Sequence, residues 1–101
     1  THKDYLRDRA EKAFQDGLPL FVTECAGMEA TGDGPIDTAS WTAWLSWMES
    51  RKISFAAWSI ADKDESCSML LPAASSEGNW TDSQIKPWGE VVKGALEKNL
   101  Q

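Results

Sequence analysis

Two short apolar runs with one amphipathic stretch between them restrict this chain more than any other feature. Residues 18–23 read Leu-Pro-Leu-Phe-Val-Thr and end abruptly in Glu24, and residues 53–60 read Ile-Ser-Phe-Ala-Ala-Trp-Ser-Ile. Each is too short for a helix and lacks the polar alternation of a half-exposed strand. Both are therefore predicted as buried strands of a parallel sheet. Pro19 falls near the start of the first, where a missing N–H is tolerated. Between the runs, Trp41, Trp44, Leu45 and Met48 recur at helical spacing over residues 38–51, with Trp47 beside that stripe and Asp37 or Thr38 able to cap the start. Strand, helix, strand implies parallel pairing through a right-handed crossover. In such sheets the chemistry gathers beyond the carboxyl ends of the strands, and Glu24 stands at one of them. The plain alternative is an ordinary surface glutamate at a strand exit.

Helices are predicted on both flanks. Over residues 3–16, Tyr5, Leu6, Ala10, Ala13 and Phe14 mark an apolar face, with Gly17 as the stop. Over residues 86–99, Pro87 suits a first turn, and Trp88, Val91, Val92, Ala95 and Leu96 supply the buried side. The order is helix, strand, helix, strand, helix. Residues 24–36 and 61–83 read as loops, the second longer than the roughly 12–15 residues usual inside a compact domain. Two parallel strands cannot close a sheet, and their outer ladders are left at open edges. The pattern reads as part of a larger α/β domain. A (β/α)8 barrel takes about 250 residues, of which 101 would be the last third or slightly more.

A net charge of −6 without a Lys/Arg cluster argues against nucleic acid or an anionic membrane surface as partner. No apolar stretch approaches the roughly 20 residues of a membrane span. Cys25, Cys67 and His2 do not make a metal site by themselves, and the two cysteines are open to pairing, to remaining free, or to packing as small hydrophobes. Six Trp in so short a chain are mostly core by their helical spacing, with one or two left for flat partners.

Loops 24–36 and 61–83 leave the same end of adjacent strands and are expected to meet at one rim. They bring Glu24, Glu29, Asp33, Trp58, Asp62, Lys63, Asp64 and Glu65 there. A carboxylate beside an aromatic platform, with a lysine and further carboxylates nearby, suits a sugar: the ring stacks on Trp and its hydroxyls bond to charged groups. Glycoside hydrolysis needs two carboxyl groups about the scissile bond, and Glu24 can be only one.

Phe21-Val22-Thr23-Glu24, Gly32-Asp33-Gly34, the run from Ala57 through Trp58 to Glu65, and Trp80-Thr81-Asp82-Ser83 together resemble the C-terminal part of family 5 glycoside hydrolases, above all the bacterial endo-β-1,4-glucanases. The resemblance covers nearly the whole chain in unbroken order. It implies an α/β fold that is the C-terminal part of a (β/α)8 TIM barrel (helix 6, strand 7, helix 7, strand 8, helix 8), with residues 1–101 forming a fragment of the catalytic domain. It implies retaining hydrolysis of cellulose and related β-glucans, with no metal or organic cofactor. Glu24 aligns with the nucleophile and Trp58 with the sugar platform. Lys63 and Glu65, with Asp64 between them, align with the segment that contacts glucose hydroxyls. Ala30 matches a position that meets substrate through its backbone, and His2 one at the cleft rim.

The chain departs from the family pattern at Cys25-Ala26, where many relatives have an aromatic residue and glycine, and at Cys67, where they have a small polar residue. A Cys25–Cys67 disulfide across the rim is the expectation, which fits a secreted, extracellular protein. The family's acid/base glutamate follows an asparagine on strand four, and no Asn-Glu pair occurs in this chain. The isolated 101 residues are expected to be inactive, with the remainder of the barrel as a necessary partner. The competing expectations are a β-mannanase or xyloglucanase on the same barrel, and a non-catalytic sugar-binding fragment.

Overall fold

The computed structural model describes residues 2–100. The elements run α1 (Asp4–Gln15), β1 (Phe21–Cys25), α2 (Thr38–Arg51), β2 (Ser54–Ala57), a single 3₁₀ turn (Asp82–Gln84) and α3 (Pro87–Asn99). β1 and β2 form a two-stranded parallel sheet, as the strand–helix–strand pattern requires. Both strands are shorter than the apolar runs. Leu18 is spent on ending α1, its N–H donating to the Ala13 carbonyl at 3.1 Å, and Pro19 has no N–H to give. Beyond Ala57 the backbone changes partner: Ser59 donates to the Cys67 carbonyl at 3.0 Å and accepts from Met69 at 3.1 Å.

The register contains one irregularity. Val22 pairs with Phe55 and Cys25 with Ala57, so three steps along β1 oppose two along β2. This is the count of a β-bulge. It lets Val22 and Cys25 both pack against the helices, although strict alternation would send them to opposite faces. Thr23 and Glu24, between them, are both exposed. The bulge thus keeps Glu24 off the helix side, where a regular strand would have put it with Val22.

All three helices cover one face of the sheet. Phe55 and Ala57 face them, while Phe21, Ser54, Ala56 and Trp58 are exposed. The expectation of strands covered on both faces is therefore met on one face only: Phe21, paired with Ser54 at the start of the sheet, is 59% exposed.

The core has two clusters. One joins α2, α3 and their loops through Met28, Trp41, Cys67, Met69, Trp88, Val92 and Ala95. Trp41 stands edge-on to both Trp88 and Phe55, at 5.0 and 5.9 Å between ring centres. The other joins Trp47, Met48 and Ile53, with Phe14, Leu20 and Val22 packed against it. α2 starts where Asp37 accepts the Ser40 N–H at 2.9 Å, as a capping aspartate should. Its most buried residues are Trp41, Trp47 and Met48. Trp47, beside the predicted stripe, is more deeply buried than Trp44, and its indole N–H reaches across to Glu11 of α1 at 2.6 Å.

Two further expectations change. Tyr5 and Leu96, assigned to buried helix faces, are 65% and 50% exposed. Residues 61–83, read as one long loop, contain a packed core segment. Cys67, Ser68, Met69 and Leu70 are all buried, and their backbone is pinned on both sides: Leu70 donates to Ala61 at 3.0 Å, and Met69 accepts from Lys86 at 2.8 Å. α3 presses onto this segment through Gly89, where a Cβ would come within 2.6 Å of the Met69 carbonyl oxygen. Only glycine permits that approach.

Candidate active site

The carboxyl ends of β1 and β2 lie side by side, joined one step past the sheet by the Trp58 N–H donating to the Cys25 carbonyl at 2.8 Å. Glu24 and Trp58 thereby emerge at the same end of adjacent strands. Both are exposed, Trp58 by 49% in spite of its size. An indole that large left in solvent has a face free for stacking. The loops that follow line an open cleft of about 910 Å³, whose walls include His2, Glu24, Ala30, Trp58 and Glu65. The same cleft runs on between α1 and β1 over Leu6, Ala10, Leu20 and Val22, so one end is polar and the other apolar.

Of the residues picked out in sequence, Lys63 and Asp64 do not line the cleft. Both are exposed, and the Lys63 ammonium lies 3.9 Å from the Glu65 carboxylate. Glu65 is half-buried, and the Lys86 ammonium donates to its carbonyl at 2.7 Å. His2 is exposed and anchored by its backbone, its carbonyl accepting the Trp44 indole N–H at 2.8 Å. Ala30 falls inside a turn closed by the Gly32 N–H on the Glu29 carbonyl, at 2.9 Å.

The expected disulfide is not made; Cys25 and Cys67 are both free thiols. Each sulfur has a place of its own. Cys25 Sγ turns to the Ala56 carbonyl at 3.5 Å, on the strand side. Cys67 Sγ is buried against the backbone of Gly32, with Glu65 beside it. Burial, with the charge of Glu24 adding to it, pushes the Cys25 thiol up to about 11. Burial and then Glu65 raise the Cys67 thiol as well. Both are held as neutral thiols, poor nucleophiles and poor metal ligands.

Two supports of the site were not visible in sequence. The Trp88 indole, fully buried, donates to the carbonyl of Trp58 at 2.6 Å. The residue following the sheet is thereby tied to α3. In sequence Trp88 is one more apolar residue at helical spacing, and nothing distinguishes it. Asp33 was placed on the rim, but its partner was not foreseen. One carboxylate oxygen accepts from both the N–H (3.1 Å) and the hydroxyl (2.8 Å) of Ser66, in the other loop. The Ser66 hydroxyl, with backbone N–H groups of Gly34 and Ser66, holds the Asp33 carboxyl below the usual aspartate range.

In chemical terms the rim offers an exposed carboxylate, an exposed indole and a second carboxylate at the end of an open cleft. Comparisons with known proteins point the same way. The family model described as Cellulase (glycosyl hydrolase family 5) matches residues 1–64. Endoglucanase A of Evansella cellulosilytica is 34% identical over 99 residues, which is 98% of this chain and 20% of that protein. A solved structure from Cytophaga hutchinsonii is 40% identical with a TM-score of 0.94, over 98% of this chain and 32% of the other. The catalytic domain of Thermobifida fusca endoglucanase Cel5A, solved in complex with cellotetraose, superposes with a TM-score of 0.87 at 28% identity, over 96% of this chain and 32% of that one. The chain thus spans about a fifth of the length of the curated relatives it matches.

Proposed function

The chain belongs to the cellulase family, glycosyl hydrolase family 5, and we propose that it forms the C-terminal part of that family's catalytic barrel, from helix 6 through strands 7 and 8 to helix 8. In that complete barrel it supplies the nucleophile and one wall of the cleft of a retaining endo-β-1,4-glucanase. The observation that carries this reading is the emergence of Glu24 and Trp58 side by side at the carboxyl ends of two adjacent parallel strands, above one cleft with Glu65 on its wall. The open sheet face, with Phe21 exposed, and the apolar end of the cleft are surfaces that the other strands of a barrel would cover.

The chemistry follows from the pair of carboxyl groups that retention requires, about 5–5.5 Å apart. Glu24 attacks the anomeric carbon, and a glycosyl ester forms as the leaving oxygen takes a proton from a second carboxylic acid. That acid, now a base, activates the water that releases the sugar. The second group belongs to the remainder of the barrel. Within this chain, Glu65 is paired with Lys63 and assigned to sugar hydroxyls. Trp58 stacks on a ring at the reacting subsite, while His2 and the backbone of Ala30 edge the cleft. Without the acid/base partner, the 101 residues alone bind at most. The matched relatives are named endoglucanases, which supports β-1,4-glucan over mannan or xyloglucan. A polymer too large to cross a membrane is met outside the cell, so extracellular action is part of the proposal, although the free thiols lend it no support.

The test is Glu24→Gln in the complete enzyme, assayed on a soluble cello-oligosaccharide with the anomer of the first product read by NMR. Turnover is expected to fall by roughly 10³-fold or more, with binding of the oligosaccharide nearly unchanged. A variant of near-normal rate, or an inverted first product, would sink the assignment.

A further inference from the structure

On the cleft wall, the main chain at and just after Glu65 is gripped from two directions. On the side of α3, the Lys86 ammonium holds its carbonyl at 2.7 Å. On the side of the loop after β1, the next two residues are tied down: Ser66 donates twice to the Asp33 carboxylate, at 3.1 and 2.8 Å, and the Cys67 N–H donates to the Gly32 carbonyl at 2.9 Å. Among these ties, the bond from Lys86 and those to Asp33 involve an ionised partner, and such bonds are roughly twice as strong as neutral ones. The pair on Asp33 converges on a single oxygen, and its other end is in the loop that leaves β1 just after Glu24.

We infer that Asp33 is a positioning residue: through Ser66 it sets the height of Glu65 on the cleft wall, and of the Lys63 paired with it outside the lining, relative to the strand that carries Glu24. Asp33 touches no sugar in this scheme. It acts through Glu65, and the inference rests on the reading in which Glu65 and Lys63 meet substrate hydroxyls. The depressed carboxyl of Asp33, to which the nearby charge of Lys86 adds, keeps the tie charged in neutral and mildly acidic solution.

A double-mutant cycle in the complete enzyme separates positioning from mere structure. KM and kcat are measured on soluble cello-oligosaccharide. The oligosaccharide Kd is measured by calorimetry in the Glu24→Gln background. Asp33→Ala is expected to raise KM and Kd about tenfold with a smaller fall in kcat, the size expected for losing a charge-assisted pair. In a Glu65→Ala background, the same substitution is expected to change them less than about twofold, while its effect on Tm is the same in both backgrounds. Should Asp33→Ala fail to fold, Asp33→Asn keeps the shape and one acceptor, and a rise in KM of about threefold is expected from the weaker neutral bond. KM and Kd unmoved by either Asp33 variant, or moved equally whether or not Glu65 is present, would overturn the inference. Glu65→Ala alone leaving KM unchanged would overturn it too, and would show that the sugar-contact reading had failed, since that variant does not touch Asp33.

Discussion

α1 and α3 pack on the same side of the same two strands, yet they are held by opposite means. α3 is held by burial. Trp88, Val92 and Ala95 are in the core, and Gly89 lets the helix approach the backbone of Met69. α1 has no buried residue at all. Its attachments are polar: Glu11 takes the Trp47 indole N–H at 2.6 Å and pairs with Arg51 of α2. Lys3 just ahead of it pairs with Asp37 at 2.9 Å. Phe14 and Ala10 lean on the second core cluster, but Leu6 and Ala10 also line the open cleft. The contrast teaches where the domain is closed and where it is not. The face that positions Trp58 is packed within this chain, while the region beyond β1 leaves apolar surface uncovered by it.

Three substitutions test this contrast, from the largest expected effect to the smallest. Trp88→Ala removes a fully buried indole and leaves the Trp58 carbonyl without its donor. It is expected to cost about 3–5 kcal/mol in denaturant unfolding of the complete enzyme. A loss no larger than a surface change would break the contrast at once. Gly89→Ala forces a methyl against the Met69 carbonyl, and the overpacking is expected to cost about 1–3 kcal/mol in the same experiment. Glu11→Gln, on the other helix, is expected to lower Tm least. Arg51 above all, then Gln15 and Trp47, hold the Glu11 carboxyl down at about 2 against an ordinary 4.5. A carboxylate depressed in the fold stabilises above its unfolded value and loses that contribution as pH falls through the folded one. The gap in Tm between wild type and Glu11→Gln should therefore be full at pH 7 and close as pH falls from about 4.5 towards 2. A gap that widens on acidification would place the tie elsewhere.

The contrast also marks how far the sequence could be read. α2 and α3 were legible from the helical period of their apolar residues, and β1 and β2 from short, nearly continuous apolar runs. Of the candidate site, what was legible is that Glu24 and Trp58 emerge together at the strand ends. Segment 67–70 was not legible, because it reads as loop and is held in the core by backbone bonds from Cys67 to Gly32, Met69 to Ser59 and Leu70 to Ala61, which no local pattern announces. Tyr5 and Leu96 were misplaced because periodicity tells which residues share a face but not how far the neighbour extends. The two cysteines share a rim, and their separate burial depends on where Gly32 and Ala56 lie, which no spacing encodes. Asp33 and Ser66 are 33 positions apart and meet only once both loops are folded.

The added residue in β1 has a consequence for anyone rebuilding this scaffold. A designer regularising the ladder between Val22 and Cys25 would choose this irregularity for removal first, since an ideal strand has none. Shortening it by one would perfect the pairing and draw the carboxylate back by about 3 Å, one residue's rise along the strand. Within that stretch the number of residues fixes where the Glu24 carboxylate emerges as much as the identity of the residue does, and a strand idealised for stability would come out sturdier and aimed elsewhere.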